Sequence, residues 1–96
     1  MVELRQLRYF LAVAEERSFT RAAALLHVSQ PTLSQQIRAL ERSVRTPLFH
    51  REPAGVRLTE AGSALLEPAQ RAVVEVADGV RAARDTIGPA GAEADA

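Results

Sequence analysis

The stretch SFTRAAALLHVSQPTLSQQIRALERSV, residues 18–44, constrains the fold more than any other part of the chain. Leu33, Ile37, Leu40 and Val44 recur at steps of four, three and four, which places them on one face of an α-helix. The other faces carry Gln30, Thr32, Ser34, Gln35, Gln36, Arg38, Glu41 and Arg42. Ser29 is a good N-cap, because its hydroxyl can accept from an open amide of the first turn. Pro31 lies where a missing N–H costs nothing. Upstream, Ser18 caps a shorter helix with Ala22, Ala23 and Leu26 on its inner face, and side chains that small let two helices cross closely. Only His27, Val28 and Ser29 separate the two, as in a helix-turn-helix connection. Such turns often use Gly; here His27 or a neighbour supplies the bend, and His is among the residues enriched at positive φ.

The second helix, residues 30–43, has the chemistry of a reading surface. Gln, Ser, Thr and Arg are the side chains that hydrogen-bond to base edges and phosphates. Its first turns, Gln30 to Gln36, contain no acidic residue, although an acid there would suit the helix dipole. An ordinary solvated face is the competing reading. Arg21 sits in the first turn of the shorter helix, where a cation opposes the dipole. It is either a solvated side chain or a phosphate contact. Ser29 is primarily a cap, and the amides of its turn are also suited to a phosphate.

Net charge is zero, yet its distribution is uneven. Residues 1–58 hold nine Arg and five Glu, a net of +4, and residues 59–96 a net of −4. A basic front and an acidic back suit a domain that meets phosphate at one end. The absence of Cys excludes a disulfide scaffold and a Cys-based zinc site. The two His stand far apart without an acidic cluster, so no metal site is expected. There is no nucleophile–base–acid set and no glycine-rich phosphate loop, so an enzyme is not expected, nor is a cofactor. No run approaches the roughly 20 apolar residues of a membrane span. A signal-peptide pattern is absent too, so a cytoplasmic location is expected.

The remaining elements read as support. Residues 3–17 form a first helix with Leu4, Leu7, Leu11 and Ala14 as its stripe, widened by Phe10 and Val13. Pro47 ends the reading helix, because the residue before a proline is pushed out of the α region. A strand starting at Leu48 and Phe49, a turn at Glu52–Gly55 and a returning strand at Val56–Leu58 make a hairpin. An isolated hairpin is marginal in water, so Phe49, Val56 and Leu58 must anchor it. Thr59 caps a final helix, with Glu60 at its positive end. Gly62 inside a helix implies a close approach. Pro68 implies a bend. Ala69, Val73, Val76, Val80, Ala83 and Ile87 form a heptad seam. A stripe that long exceeds what a small domain can cover, so a twofold dimer is expected, with only the first third of the seam packing on this chain's own core.

Four segments in order, SFTRAA, VSQPTLSQQIRALE, PLFHR and VRLTEAG, make the chain resemble the N-terminal domain of LysR-type transcriptional regulators over about residues 4–87. The resemblance implies a mainly α fold: a winged helix-turn-helix, three helices plus a two-stranded β wing, followed by a long dimerisation helix. The corresponding segments are 1–58 for the DNA-binding domain, 59–87 for the linker helix and 88–96 for a disordered tail or hinge. It implies a homodimer on double-stranded DNA with twofold-related half-sites, one reading helix from each chain in a major groove. The resemblance alone implies a dimer contact by the first helix, with Tyr9 either part of that contact or a rim residue. A small-molecule inducer would act only through an effector domain outside this sequence. The base-reading candidates are Gln30, Ser34 and Gln35, with Pro31 for apolar contact. The phosphate candidates are Arg21, Ser29, Thr32, Arg38, Arg51 and Arg57. Many relatives have Arg where this chain has Gln35, and Gln pairs bidentately with adenine. Ala54 stands at the wing tip, where some members have a basic residue. The alternative function is a helical protein-interaction and dimerisation module with only weak, non-specific DNA binding.

Overall fold

The computed structural model describes the backbone of residues 1–95 and the side chains of residues 1–87. The chain runs α1 (Leu4–Glu16), α2 (Phe19–Leu26), α3 (Gln30–Val44), β1 (Phe49–Glu52), β2 (Gly55–Leu58) and α4 (Glu60–Asp95). The tail expected over residues 88–96 lies outside the residues whose side chains are described.

The first three helices surround a core of Phe10, Val13, Ala22, Ala23, Leu33, Ile37 and Leu40, all nearly sealed from solvent. The five larger of these, Phe10, Val13, Leu33, Ile37 and Leu40, are fully buried and contribute about 1.5–3 kcal/mol apiece before chain entropy is set against them. Each of the three helices stops at a residue with left-handed backbone: Arg17 (φ 54°), His27 (φ 59°) and Arg45 (φ 63°). His27 therefore supplies the bend of the helix-turn-helix. The Val28 N–H then donates to the Ala23 carbonyl at 3.0 Å, which closes α2. The same closure ends α3, where the Thr46 N–H donates to the Glu41 carbonyl at 3.2 Å. The reading helix thus ends at Val44, three residues before Pro47, by the left-handed cap at Arg45.

β1 and β2 pair antiparallel, Phe49 opposite Leu58 and Glu52 opposite Gly55, around a two-residue turn at Pro53–Ala54. Ladder pairing starts at Phe49, one residue later than expected, because the buried Leu48 is held otherwise: its N–H donates to Glu41 Oε2 at 2.7 Å. Phe49 carries the wing into the core. Its ring lies 5.3 Å from Phe10 and 6.0 Å, edge-on, from Phe19, within the range where aromatic pairs attract. At the other end of the hairpin, Gly55 has φ +140°, and a Cβ there would lie 3.1 Å from the Arg17 carbonyl oxygen. That oxygen accepts from the Val56 N–H at 3.2 Å. The wing is therefore tied to the α1–α2 corner as well as to α3.

Thr59 caps α4 as expected and does more. Its hydroxyl accepts from the Gly62 N–H at 3.0 Å and donates to the Pro47 carbonyl at 2.8 Å. Gly62 does mark a close approach, and the partner is the base of the wing. A Cβ at Gly62 would fall 2.2 Å from the Leu48 carbonyl oxygen and 2.9 Å from Leu58 Cδ2. α4 continues as helix through Pro68; the expected bend does not interrupt it. Pro68 withdraws only the N–H that would have met the Ala64 carbonyl, and both residues are exposed, so water can satisfy that oxygen. The molecule measures 55 × 25 × 20 Å, and its length comes from α4.

Candidate nucleic-acid interface

The surface of α3 divides cleanly. Leu33, Ile37 and Leu40 are buried, with 0–1 % exposure. On the opposite side Pro31, Gln35, Arg38 and Arg42 repeat the same steps of four, three and four, and all are exposed. Gln30 and Thr32 are exposed at the N-terminal end. Leu33, Ile37 and Leu40 thus hold the helix rigidly by its back and leave a polar stripe facing outward.

Ser34 departs from the expected outward face. It is 7 % exposed, because its position flanks the apolar stripe beside Leu33 and Ile37. Its hydroxyl has no side-chain partner among the described residues, yet no buried side-chain oxygen there lacks one. The hydroxyl therefore keeps contact with solvent while the rest of the side chain is covered.

The N-terminus of α3 offers less than four open amides. Pro31 has none, the Thr32 N–H donates to Ser29 Oγ at 3.1 Å, and the Leu33 N–H donates to the Ser29 carbonyl at 3.0 Å. The Ser29 hydroxyl donates in turn to Thr32 Oγ1 at 2.8 Å. The backbone amides of Gln30 and of Ser29 itself have no partner among the described residues. Ser29 acts first as a cap, and these two N–H groups are left to give to an anion.

Three of the expected phosphate-contacting arginines have partners within the chain. Arg21 folds back on the end of α1, donating to the Glu16 carbonyl at 2.5 Å with its Nε 3.7 Å from the Glu16 carboxylate. A cation unfavourable for α2's own dipole is thereby favourable for that of α1. Arg51 lies over the Phe19 ring, 3.9 Å from its centroid, an ordinary cation–π stack. Arg57 reaches Glu52 through two nitrogens, at 2.6 and 3.1 Å. That hydrogen bond, and then the Arg57 charge itself, hold the Glu52 carboxyl below its usual 4.5, with a smaller contribution from His50. Arg38 has no such partner among the described residues. Reading the sequence placed Glu41 and Arg42 on the polar faces of α3 but missed that the half-buried Glu41 fastens Leu48, and it left Arg42 and Arg45 out of the candidate site. The outer 4-3-4 repeat ending at Arg42 was a usable signal. The left-handed cap at Arg45 was not.

α4 exposes Val76, Val80 and Ile87 by 44–47 %, whereas Ala69 is buried and Val73 half-buried. The seam therefore packs on its own core only at its beginning. Among the described residues there is no group of three metal-ligating side chains and no helix long and apolar enough to cross a membrane.

Residues 4–63, more than half of the chain, match the family of bacterial regulatory helix-turn-helix proteins of the lysR type, and the chain belongs to that family. It is 65 % identical over 68 residues to the HTH-type transcriptional regulator BudR of Klebsiella aerogenes, covering 71 % of this chain and 48 % of BudR. The chain thus spans about half the length of that relative. The BenM DBD in complex with catB site 1 DNA superposes with a TM-score of 0.87 at 38 % identity, covering 91 % of this chain and 98 % of that one. The CbnR DBD–DNA complex gives 0.83 at 41 % identity, with 88 % and 98 % covered. The winged helix-turn-helix followed by a long helix is therefore the architecture of this family.

Proposed function

We propose that this chain binds double-stranded DNA sequence-specifically, as a homodimer, to regulate transcription in the bacterial cytoplasm. The observation that carries this reading is the exposed stripe Pro31, Gln35, Arg38 on a helix whose opposite face is locked into the core. A rigid helix with an outward polar stripe fits the major groove, which admits one α-helix. Gln30 and Gln35 read base edges, Pro31 makes apolar contact, and Ser34 offers its hydroxyl alone. Thr32, Arg38 and the open Gln30 amide beside Ser29 meet phosphates. Arg51 and Arg57 bring positive charge on the wing, although contact with phosphate requires each to share or leave its present partner. Arg21 would likewise have to leave Glu16.

The exposed Val76, Val80, Ala83 and Ile87 are covered by the second copy. Such pairing presents two α3 helices to half-sites about one helical turn, or a multiple, apart. Response to a small-molecule inducer belongs to a further domain. The chain acts as a regulator and not as an enzyme.

Selection from random DNA tests the assignment. Adenine is expected at the base pair read by Gln35, with Gln35→Arg moving the preference to guanine. Guanine at that step, unchanged by Gln35→Arg, refutes it. The exposed α4 seam also suits a chain that only pairs proteins. Such a module would bind without the steep loss on rising salt that phosphate contacts impose.

A further inference from the structure

Beyond the base-reading turns of α3 lies a second charged surface. Arg38, Arg42 and Arg45, with Thr46 and Pro47, line a shallow depression of about 370 Å³ at the C-terminal end of the helix. None of the three guanidiniums has an ion-pair partner among the described residues. The one carboxylate beside them, Glu41, is held by the Leu48 N–H at 2.7 Å. The patch is therefore a cluster of open cations on the side that carries Pro31 and Gln35.

Cations near a helix C-terminus complement its dipole, which accounts for an arginine in the last turn. It does not account for three. Geometry supplies the reason. From Pro31 to Arg42 is about 16 Å along the helix axis, whereas the major groove is about 12 Å wide. With Gln30 and Gln35 at base edges, the far end of α3 lies over a wall of the groove, and that wall is phosphate.

We infer that Arg42 and Arg45, with Arg38, form a clamp on the DNA backbone at the far edge of each half-site, separate from the Ser29–Thr32 end of the helix. The inference rests on α3 being the DNA-reading helix. The clamp adds affinity without sequence preference, since phosphate contacts position the protein and carry no base information.

The test is fluorescence anisotropy of the 96-residue chain on a duplex enriched from random DNA and on a scrambled duplex, each over a series of salt concentrations. The variants are Arg42→Gln, Arg45→Gly, Arg45→Lys, Gln35→Ala and, as a control in the acidic half, Arg84→Gln. Arg45→Gly suits the left-handed backbone, so the fold is retained, and circular dichroism checks this. Because each half-site carries one clamp, Arg42→Gln and Arg45→Gly should each lower the slope of log K against log salt by about 1.8 for the bound dimer, about 0.9 per copy. Each should weaken both duplexes alike, by roughly three- to tenfold near physiological salt. Arg45→Lys should keep the slope, and Arg84→Gln should change nothing. Unchanged slopes for Arg42→Gln and Arg45→Gly, with Gln35→Ala still relaxing one base position, overturn the clamp and leave the reading helix standing. If Gln35→Ala alters neither selectivity nor affinity, the reading helix fails and the clamp with it.

Discussion

The same substitution at two positions of α4 should move stability in opposite directions. Gly62→Ala places a methyl carbon 2.2 Å from the Leu48 carbonyl oxygen and 2.9 Å from Leu58 Cδ2. Neither the α4 backbone nor the Leu48 carbonyl can rotate away, because that oxygen also accepts from the Thr59 N–H at 3.0 Å. Relief requires about 1 Å of separation between α4 and the base of the wing, a strain of the kind that costs roughly 1–3 kcal/mol. The separation also pulls on the Thr59 bonds to Leu48 and Pro47, each worth about 1 kcal/mol. Ala returns about 1 kcal/mol as the better helix former. The net is a loss of roughly 2–4 kcal/mol, summed from those terms. At Gly79 nothing lies within 4 Å of the added carbon, so the propensity gain stands alone and Gly79→Ala stabilises by about 1 kcal/mol. Urea unfolding followed by helical circular dichroism, at one fixed protein concentration because the proposed pairing of two copies would add to stability, reads both. Equal shifts of one sign for the two variants would refute the contact argument at Gly62.

Two further outcomes follow from the wing and from α4. The Glu52 carboxyl should titrate below 4.5, and Arg57→Gln should return it toward that value, as read by NMR of the carboxyl carbon. Because its folded value is depressed, the stabilisation from this pair is present above the ordinary carboxyl range and disappears as pH falls through the lowered value. A midpoint unmoved by Arg57→Gln would remove the pair as its cause. On α4, Val80→Asp places a charge in the exposed seam and should convert the dimer to monomer in sedimentation, with helical content of the first three helices retained. A dimer of wild-type stability in that variant would place the pairing surface elsewhere.

Most of the candidate site was legible because α3 is amphipathic over its whole length. One period places Leu33, Ile37 and Leu40 inside and Pro31, Gln35 and Arg38 outside, and exposure followed those positions. Ser34 shows where periodicity stops being informative. A side chain at the margin of the stripe is covered or not according to the neighbouring element, and here it is covered. The same holds for cations. Arg21, Arg51 and Arg57 read alike in sequence, but their partners are Glu16, Phe19 and Glu52, on α1, α2 and β1 respectively.

The sequence by itself determined the helix-turn-helix, the caps at Ser18, Ser29 and Thr59, the wing and the unpartnered stripe of α4. These depend on local spacing and on residues whose backbone and hydrogen-bonding preferences act within a few positions. Tertiary structure decided which arginines remain open to phosphate, why Gly62 is required and what Glu41 fastens. Those outcomes depend on contacts between residues distant along the chain: Gly62 against Leu48, and Phe49 against Phe10 and Phe19. A charge carries no mark in sequence of the partner that will neutralise it, and packing alone brings that partner within reach.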